Sequence, residues 1–140
     1  MRMDGMGHST EGMGSTENTT TAMMRWTING ASYPDTEPLC VSLGSVVKVR
    51  FVNRDTQMMH PMDHAMHPMD HAMHLHGAAF LIDSENGARP ARETWKDTVK
   101  VPAGRSVDVA FVMRNPGAWM LHCNIIDHED GGMMTMVMAE

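Results

Sequence analysis

The stretch Gly117-Ala-Trp-Met-Leu-His-Cys-Asn-Ile-Ile-Asp-His-Glu-Asp-Gly-Gly-Met-Met134 places three metal-binding types of side chain at even spacing near the end of a 140-residue chain. Cys123 follows the apolar, strand-like run 118–121. Four residues separate Cys123 from His128, and four more separate His128 from Met133. A loop of this size can fold back so that all three side chains point at one centre. The stretch therefore predicts a metal centre at the end of a β-strand.

A thiolate, two imidazoles and a weak axial thioether form the ligand set of a blue-copper electron-transfer site. Six of the nine histidines lie between positions 60 and 76, so the chain can supply a second imidazole. Taken singly, a buried thiol, a satisfied histidine and a core methionine are ordinary. These ordinary roles would also have to account for the even spacing and for the histidine cluster. The combined pattern therefore favours a copper site.

The segment 121–134 resembles the C-terminal copper motif of multicopper oxidases, which reads His-Cys-His, three residues, His, three residues, Gly-Met. The resemblance implies a cupredoxin domain with copper as cofactor, in a periplasmic or extracellular protein. Cys123, His128 and Met133 match the type 1 copper ligands. His122 matches one ligand of the type 3 copper pair.

A second motif, His74-Leu-His-Gly77, resembles the family's His-x-His-Gly segment. This resemblance implies a type 2 copper role for His74 and a type 3 role for His76. The segment Trp95-Lys-Asp-Thr-Val-Lys-Val101 also resembles the segment between these two motifs in copper-efflux oxidases. The resemblance covers roughly residues 24–140.

Three features depart from the family. Asn124 stands where the family has a type 3 imidazole, and an amide is a poor substitute because it is a far weaker base. At 140 residues we expect one domain, whereas a family oxidase is several times longer and builds its trinuclear cluster between its first and last domains. We therefore expect no oxidase activity from this chain alone, although a fragment or a homo-oligomer acting on phenols or Cu(I) is the alternative.

The third departure is a perfect repeat in which residues 60–66, His-Pro-Met-Asp-His-Ala-Met, recur at 67–73. Packing does not require such a duplication, which is typical of an insertion. It interrupts the family's His-Pro-x-His-x-His-Gly segment, and so several histidines compete to be the second type 1 imidazole.

His60 follows the preceding strand directly and precedes a proline, as in the family. His71 has the correct downstream spacing, three residues before His74. His67 has the proline but neither spacing. The upstream context slightly favours His60, with His71 close behind.

The remaining ligands of the repeat could bind additional copper. Soft thioethers favour Cu(I), and 6 of the 18 methionines lie between positions 58 and 73. This composition supports another hypothesis, copper storage or delivery by a flexible arm; a solvated loop without metal is the competing interpretation. The histidines that could bind additional copper are His64 and His67 in the repeat and His74, His76 and His122 outside it.

Short alternating runs separated by turn residues predict an all-β fold, a cupredoxin-like Greek-key sandwich of two antiparallel sheets. Residues 45–52 and 105–113 show the clearest alternation. The Met, Gly, Ser and Thr-rich segment 1–22 predicts a disordered tail, followed by the domain at 23–140 with an inserted loop at 60–73. Cys40 lies in an apolar run, which predicts a buried core thiol unpaired with Cys123.

The net charge of −6 argues against nucleic acid as a partner. No run approaches the roughly 18 apolar residues of a membrane span, and the N-terminus lacks the apolar core of a signal peptide. The partners that we expect are copper ions and an unidentified redox protein, with homo-oligomerisation left open.

Overall fold

The computed structural model describes residues 2–9, 25–55, 57–59 and 66–140. Within these ranges the chain forms strands and one short helix. In chain order the elements are β1 (Arg2–Ser9), β2 (Arg25–Thr27), β3 (Leu39–Val41), β4 (Val46–Asn53), β5 (Gln57–Met59), β6 (Met66–Pro68), β7 (His71–Leu75), β8 (Phe80–Glu85), β9 (Trp95–Lys96), β10 (Thr98–Val101), β11 (Ser106–Val112), β12 (Gly117–Cys123), α1 (Ile126–Asp130) and β13 (Met134–Ala139).

The strands form two facing sheets, which confirms the prediction of an all-β sandwich. One sheet has six strands in the order β2-β1-β4-β11-β8-β9, and the other has five in the order β10-β7-β12-β13-β3. Strands β5 and β6 pair separately. Most pairs are antiparallel, but β1 runs parallel to β4 and β13 runs parallel to β3.

The core is built by the alternation seen in the sequence. Val47, Val49 and Phe51 on β4 point inward, and their register partners on β11 are also buried. Phe51 meets Phe80 of β8 edge to face, with ring centroids 5.8 Å apart. Burying side chains of this size contributes about 1.5–3 kcal/mol each. The same buried core also contains Met73, Cys123 and Met133.

The tail predicted to be disordered at 1–22 is ordered at its start, because residues 2–9 form strand β1. This strand pairs with both β2 and β4, and the Met3 side chain is buried opposite Phe51. Composition alone missed it because backbone pairing between two neighbours does not need a hydrophobic sequence. The rest of the predicted tail, 10–22, lies outside the described residues.

The chain turns between β7, which ends at Leu75, and β8, which begins at Phe80, because Gly77 has a φ of +87°. One local prediction was also wrong. Cys40 is exposed rather than buried, because on β3 its neighbour Val41 takes the inward position. Part of the predicted inserted loop forms β6 and the start of β7. In the described part of the chain, no helix has the length and apolar character needed to cross a membrane.

Candidate metal centre

Neighbouring strands bring together ligands that are far apart in sequence. Strand β7 begins at His71, and β12 ends at Cys123. These strands pair side by side, with Cys123 opposite Met73. The loop after Cys123 turns through α1, which carries His128, and returns to β13 immediately after Met133.

Three donor atoms of these residues form a compact triangle. Nδ1 of His71 lies 3.1 Å from Nδ1 of His128. Sγ of Cys123 lies 3.4 Å from the His128 atom and 3.9 Å from the His71 atom. Among the described residues, this is the group of histidine, cysteine and acidic side chains that could hold a metal ion. All three side chains are buried, so water does not compete for the donors.

The size of the triangle fits a metal ion at its centre. Metal–nitrogen and metal–sulfur bonds of about 2.0 and 2.3 Å, the lengths known for zinc, imply donor separations of roughly 3.5–3.7 Å in a trigonal plane. The three observed separations lie on either side of this range. Small side-chain movements would therefore give trigonal coordination without rebuilding the fold.

Met133 closes the loop that carries Cys123 and His128. Its side chain is fully buried. Its amide donates to the His128 carbonyl oxygen, and the Cys123 amide donates to the Met133 carbonyl oxygen, both at 3.0 Å. The backbone thus ties the three loop residues to one another, and Met133 is held next to the two other loop donors.

A buried carboxylate orients His71. Nε2 of His71 lies 2.7 Å from a carboxylate oxygen of Asp55. An ionised carboxylate only accepts hydrogen bonds, so it keeps the proton on Nε2 and directs Nδ1 toward the triangle. Asp55 is placed by its own amide, which donates to the Asn53 side chain at 2.9 Å. Asn53 in turn donates to the carbonyl oxygens of Met69 and Val101.

The centre prefers a thiolate beside a charged imidazole when no metal is bound. Burial opposes the charged form of His71, but hydrogen bonds to Asp55 and Cys123 outweigh it and raise the pKa of His71 to about 9. Burial likewise opposes the Cys123 thiolate, but hydrogen bonds from His128, His71 and two backbone amides lower the pKa of Cys123 to about 6. One of those amides is that of Ala72, whose nitrogen lies 3.4 Å from Sγ. A thiolate is the form that binds metal.

The competing candidates for the second imidazole are placed differently. His71 joins Cys123 and His128. His60, which the sequence slightly favoured, lies outside the described residues, as does His64, a candidate for additional copper. The backbone of His67 belongs to β6. Sequence reasoning missed Asp55, which lies five residues before His60, and Trp26, which packs on the triangle; no local motif marks either residue.

A second histidine cluster lies on the other side of the β7–β12 pair. Nε2 of His76 and Nε2 of His122 are 3.0 Å apart, and His74 packs against both rings. Nδ1 of His74 contacts the Asp97 carbonyl oxygen at 2.8 Å. Partial desolvation and the neighbouring imidazoles of His74 and His122 lower the pKa of His76. The neutral form of His76, which binds metals, is therefore favoured. Asn124 is exposed.

Comparisons with known proteins agree on one relationship. Residues 8–140 match the model of a family described as multicopper oxidase. The multicopper oxidase MmcO of Mycobacterium tuberculosis is 37% identical over 116 residues, which are 83% of this chain and 20% of that protein. Copper resistance protein A of Escherichia coli is 30% identical over 115 residues, 82% of this chain and 16% of that protein. The chain thus spans a fifth or less of these relatives.

Solved structures show the same fold. The blue copper oxidase from Nitrosomonas europaea aligns with a TM-score of 0.66 at 30% sequence identity, covering 82% of this chain and 34% of that chain.

Proposed function

Because the chain belongs to the multicopper oxidase family, in which copper is the cofactor, we propose that it binds one copper ion in a type 1 site and transfers single electrons. His71, Cys123 and His128 would hold the ion, with Met133 as a further, weaker ligand. The observation that carries this proposal is the buried triangle of two Nδ1 atoms and one Sγ atom.

The residues around the triangle suit a site that changes charge by one electron. Copper held by two imidazoles, a thiolate and a weak thioether supplies reversible one-electron chemistry. Asp55 keeps His71 in one tautomer, and the Ala72 amide donates to Sγ, so the donors are positioned before metal binds. Burial of all three excludes water. Such preorganisation keeps rearrangement small when the charge changes.

The second cluster supports an exit route for the electron. His122 follows Cys123 directly in the chain, and its Nε2 lies 3.0 Å from Nε2 of His76, which is exposed. A continuous path of covalent bonds and one short contact therefore joins the buried thiolate to the surface. The acceptor at that surface is a redox partner or further copper.

An oxidase function is the second candidate, and it fits the comparisons equally well. The specific observation that favours it is the grouping of His74, His76 and His122. Because the chain spans only a fifth or less of its relatives, the remaining ligands of an oxygen-reducing cluster would come from another domain or another copy.

We further propose a periplasmic or extracellular location by analogy with copper-handling relatives.

A copper titration tests the proposal. Wild-type protein should develop an intense visible thiolate-to-copper band that saturates at one equivalent of Cu(II). Cys123→Ser should remain colourless, whereas Cys40→Ser, which removes the exposed thiol, should behave like wild type. A colourless wild-type protein, or a blue Cys123→Ser variant, would contradict the proposal. Oxygen uptake by the isolated chain that is lost in His76→Ala would instead support the oxidase.

A further inference from the structure

A buried tryptophan packs directly on both imidazoles of the triangle. The indole of Trp26 stacks on the His128 ring with centroids 3.7 Å apart and an interplanar angle of 31°. It also meets the His71 ring edge to face at 5.7 Å and 80°. Trp26 is only 3% exposed. Its indole therefore covers one side of the imidazole pair and separates it from solvent.

The backbone of Trp26 is fixed to the same loop that carries His128 and Met133. The Trp26 amide donates to the Gly131 carbonyl oxygen at 2.9 Å. Its own carbonyl oxygen accepts from the Ser32 hydroxyl at 2.9 Å. Strand β2 thus holds Trp26 against the loop at both the side chain and the main chain.

The turn after β2 reinforces this contact. The Tyr33 amide donates to the Gly132 carbonyl oxygen at 2.8 Å. A side chain on Gly132 would meet the Ser32 Cβ atom at 2.7 Å, so the close approach requires glycine there. The segment from Trp26 to Tyr33 and the loop at 131–133 are consequently packed as one unit.

From these contacts we propose that Trp26 is a positioning residue of the copper site, a role that rests on the proposed function above. Its indole restricts rotation of the His128 ring, so that Nδ1 keeps its direction toward Cys123 in both oxidation states of the metal. Aromatic rings at such short range restrict each other's orientation. The apolar cover also excludes water. Water would stabilise the more highly charged Cu(II), so its exclusion changes the reduction potential. The residues around a metal site commonly tune the potential in this way.

The test compares two substitutions at Trp26 with a control elsewhere in the same core. Trp26→Leu removes the ring but keeps an apolar side chain, and Trp26→Phe restores a smaller ring. Phe80→Leu is the control, because Phe80 is equally buried and its ring packs on Phe51 and Phe111. The readouts are the reduction potential and the visible spectrum of the copper form, together with the thermal unfolding midpoint.

We expect Trp26→Leu to lower the reduction potential and shift the blue band, and Trp26→Phe to fall between it and wild type. Phe80→Leu should lower the unfolding midpoint without changing the potential or the band. Trp26→Leu protein with a wild-type potential and band would overturn the inference while leaving the type 1 site intact. Equal shifts in Phe80→Leu would also overturn it. A wild-type protein without the band would overturn the proposed function, and this inference with it.

Discussion

A carboxylate oxygen of Asp55 lies 2.7 Å from Nε2 of His71, and both side chains are buried although they are 16 residues apart in sequence. This pair holds the imidazole in the tautomer that presents Nδ1 to Cys123 and His128. The contact links the segment just after β4 to the start of β7, which lies in the second copy of the repeat. It thereby holds His71 at the candidate metal centre.

Asp55→Asn should weaken copper binding without unfolding the protein. The amide has nearly the same shape, but it lacks the charge and can also donate, so it no longer fixes the tautomer of His71. Losing such an outer partner typically costs about 10–100-fold in metal affinity. Competition with a chromophoric chelator measures the affinity. Asp108→Asn is the matched control, because Asp108 pairs with Arg50 at the surface; equal losses in both variants would contradict a specific role for Asp55.

Copper binding should release about one proton per ion between pH 7 and 8.5. In this window the metal-free protein holds a Cys123 thiolate, because the pKa of Cys123 is about 6, and a charged His71, because the pKa of His71 is about 9. Metal displaces the His71 proton. Since the metal-free form binds one proton more than the copper form, the apparent copper affinity should rise roughly tenfold for each unit by which the pH increases. Calorimetry in buffers of different ionisation enthalpy counts the protons; a release near zero would show that His71 is neutral or not a ligand.

His71→Ala should abolish the blue band, whereas His60→Ala should retain it. The reason is that His71 lies within 3.1–3.9 Å of the two other donors and is fixed by Asp55. Visible spectra after adding one equivalent of Cu(II) make the comparison. A blue His71→Ala protein together with a colourless His60→Ala protein would show that the first copy of the repeat provides the ligand.

Gly77→Ala should destabilise the fold more than Gly87→Ala. Both glycines have positive φ values, +87° and +85°, so each substitution adds backbone strain of about 1–2 kcal/mol. Only at Gly77 would the new methyl group also meet the Trp119 indole, at 2.7 Å. Thermal unfolding of the metal-free proteins measures the difference. Equal unfolding midpoints would mean that Trp119 can move aside freely.

The sequence was sufficient to predict the sandwich, because the alternation on β4 and β11 is local and matches the sheet period of two. The even spacing of Cys123, His128 and Met133 is also local, and the structure places all three in one loop. Their role as copper ligands stays a prediction.

The second imidazole could not be chosen from the sequence because the repeat gives two histidines nearly equivalent contexts. The choice depends on Asp55 and on the pairing of β7 with β12, which are contacts between distant segments. Trp26 was missed for the same reason. Strand β1 was missed because its pairing with β2 and β4 is a contact between distant segments, which its Met- and Gly-rich sequence does not reveal.

X-ray absorption at the copper edge, on wild-type protein carrying one equivalent of copper, tests the central claim most directly. The account predicts one short sulfur ligand at about 2.3 Å and two imidazole nitrogens at about 2.0 Å, with lengths taken from those known for zinc. The short sulfur should disappear in Cys123→Ser, and one of the two nitrogens should disappear in His71→Ala. A copper environment of nitrogen and oxygen alone in the wild-type protein would contradict a site built on His71, Cys123 and His128.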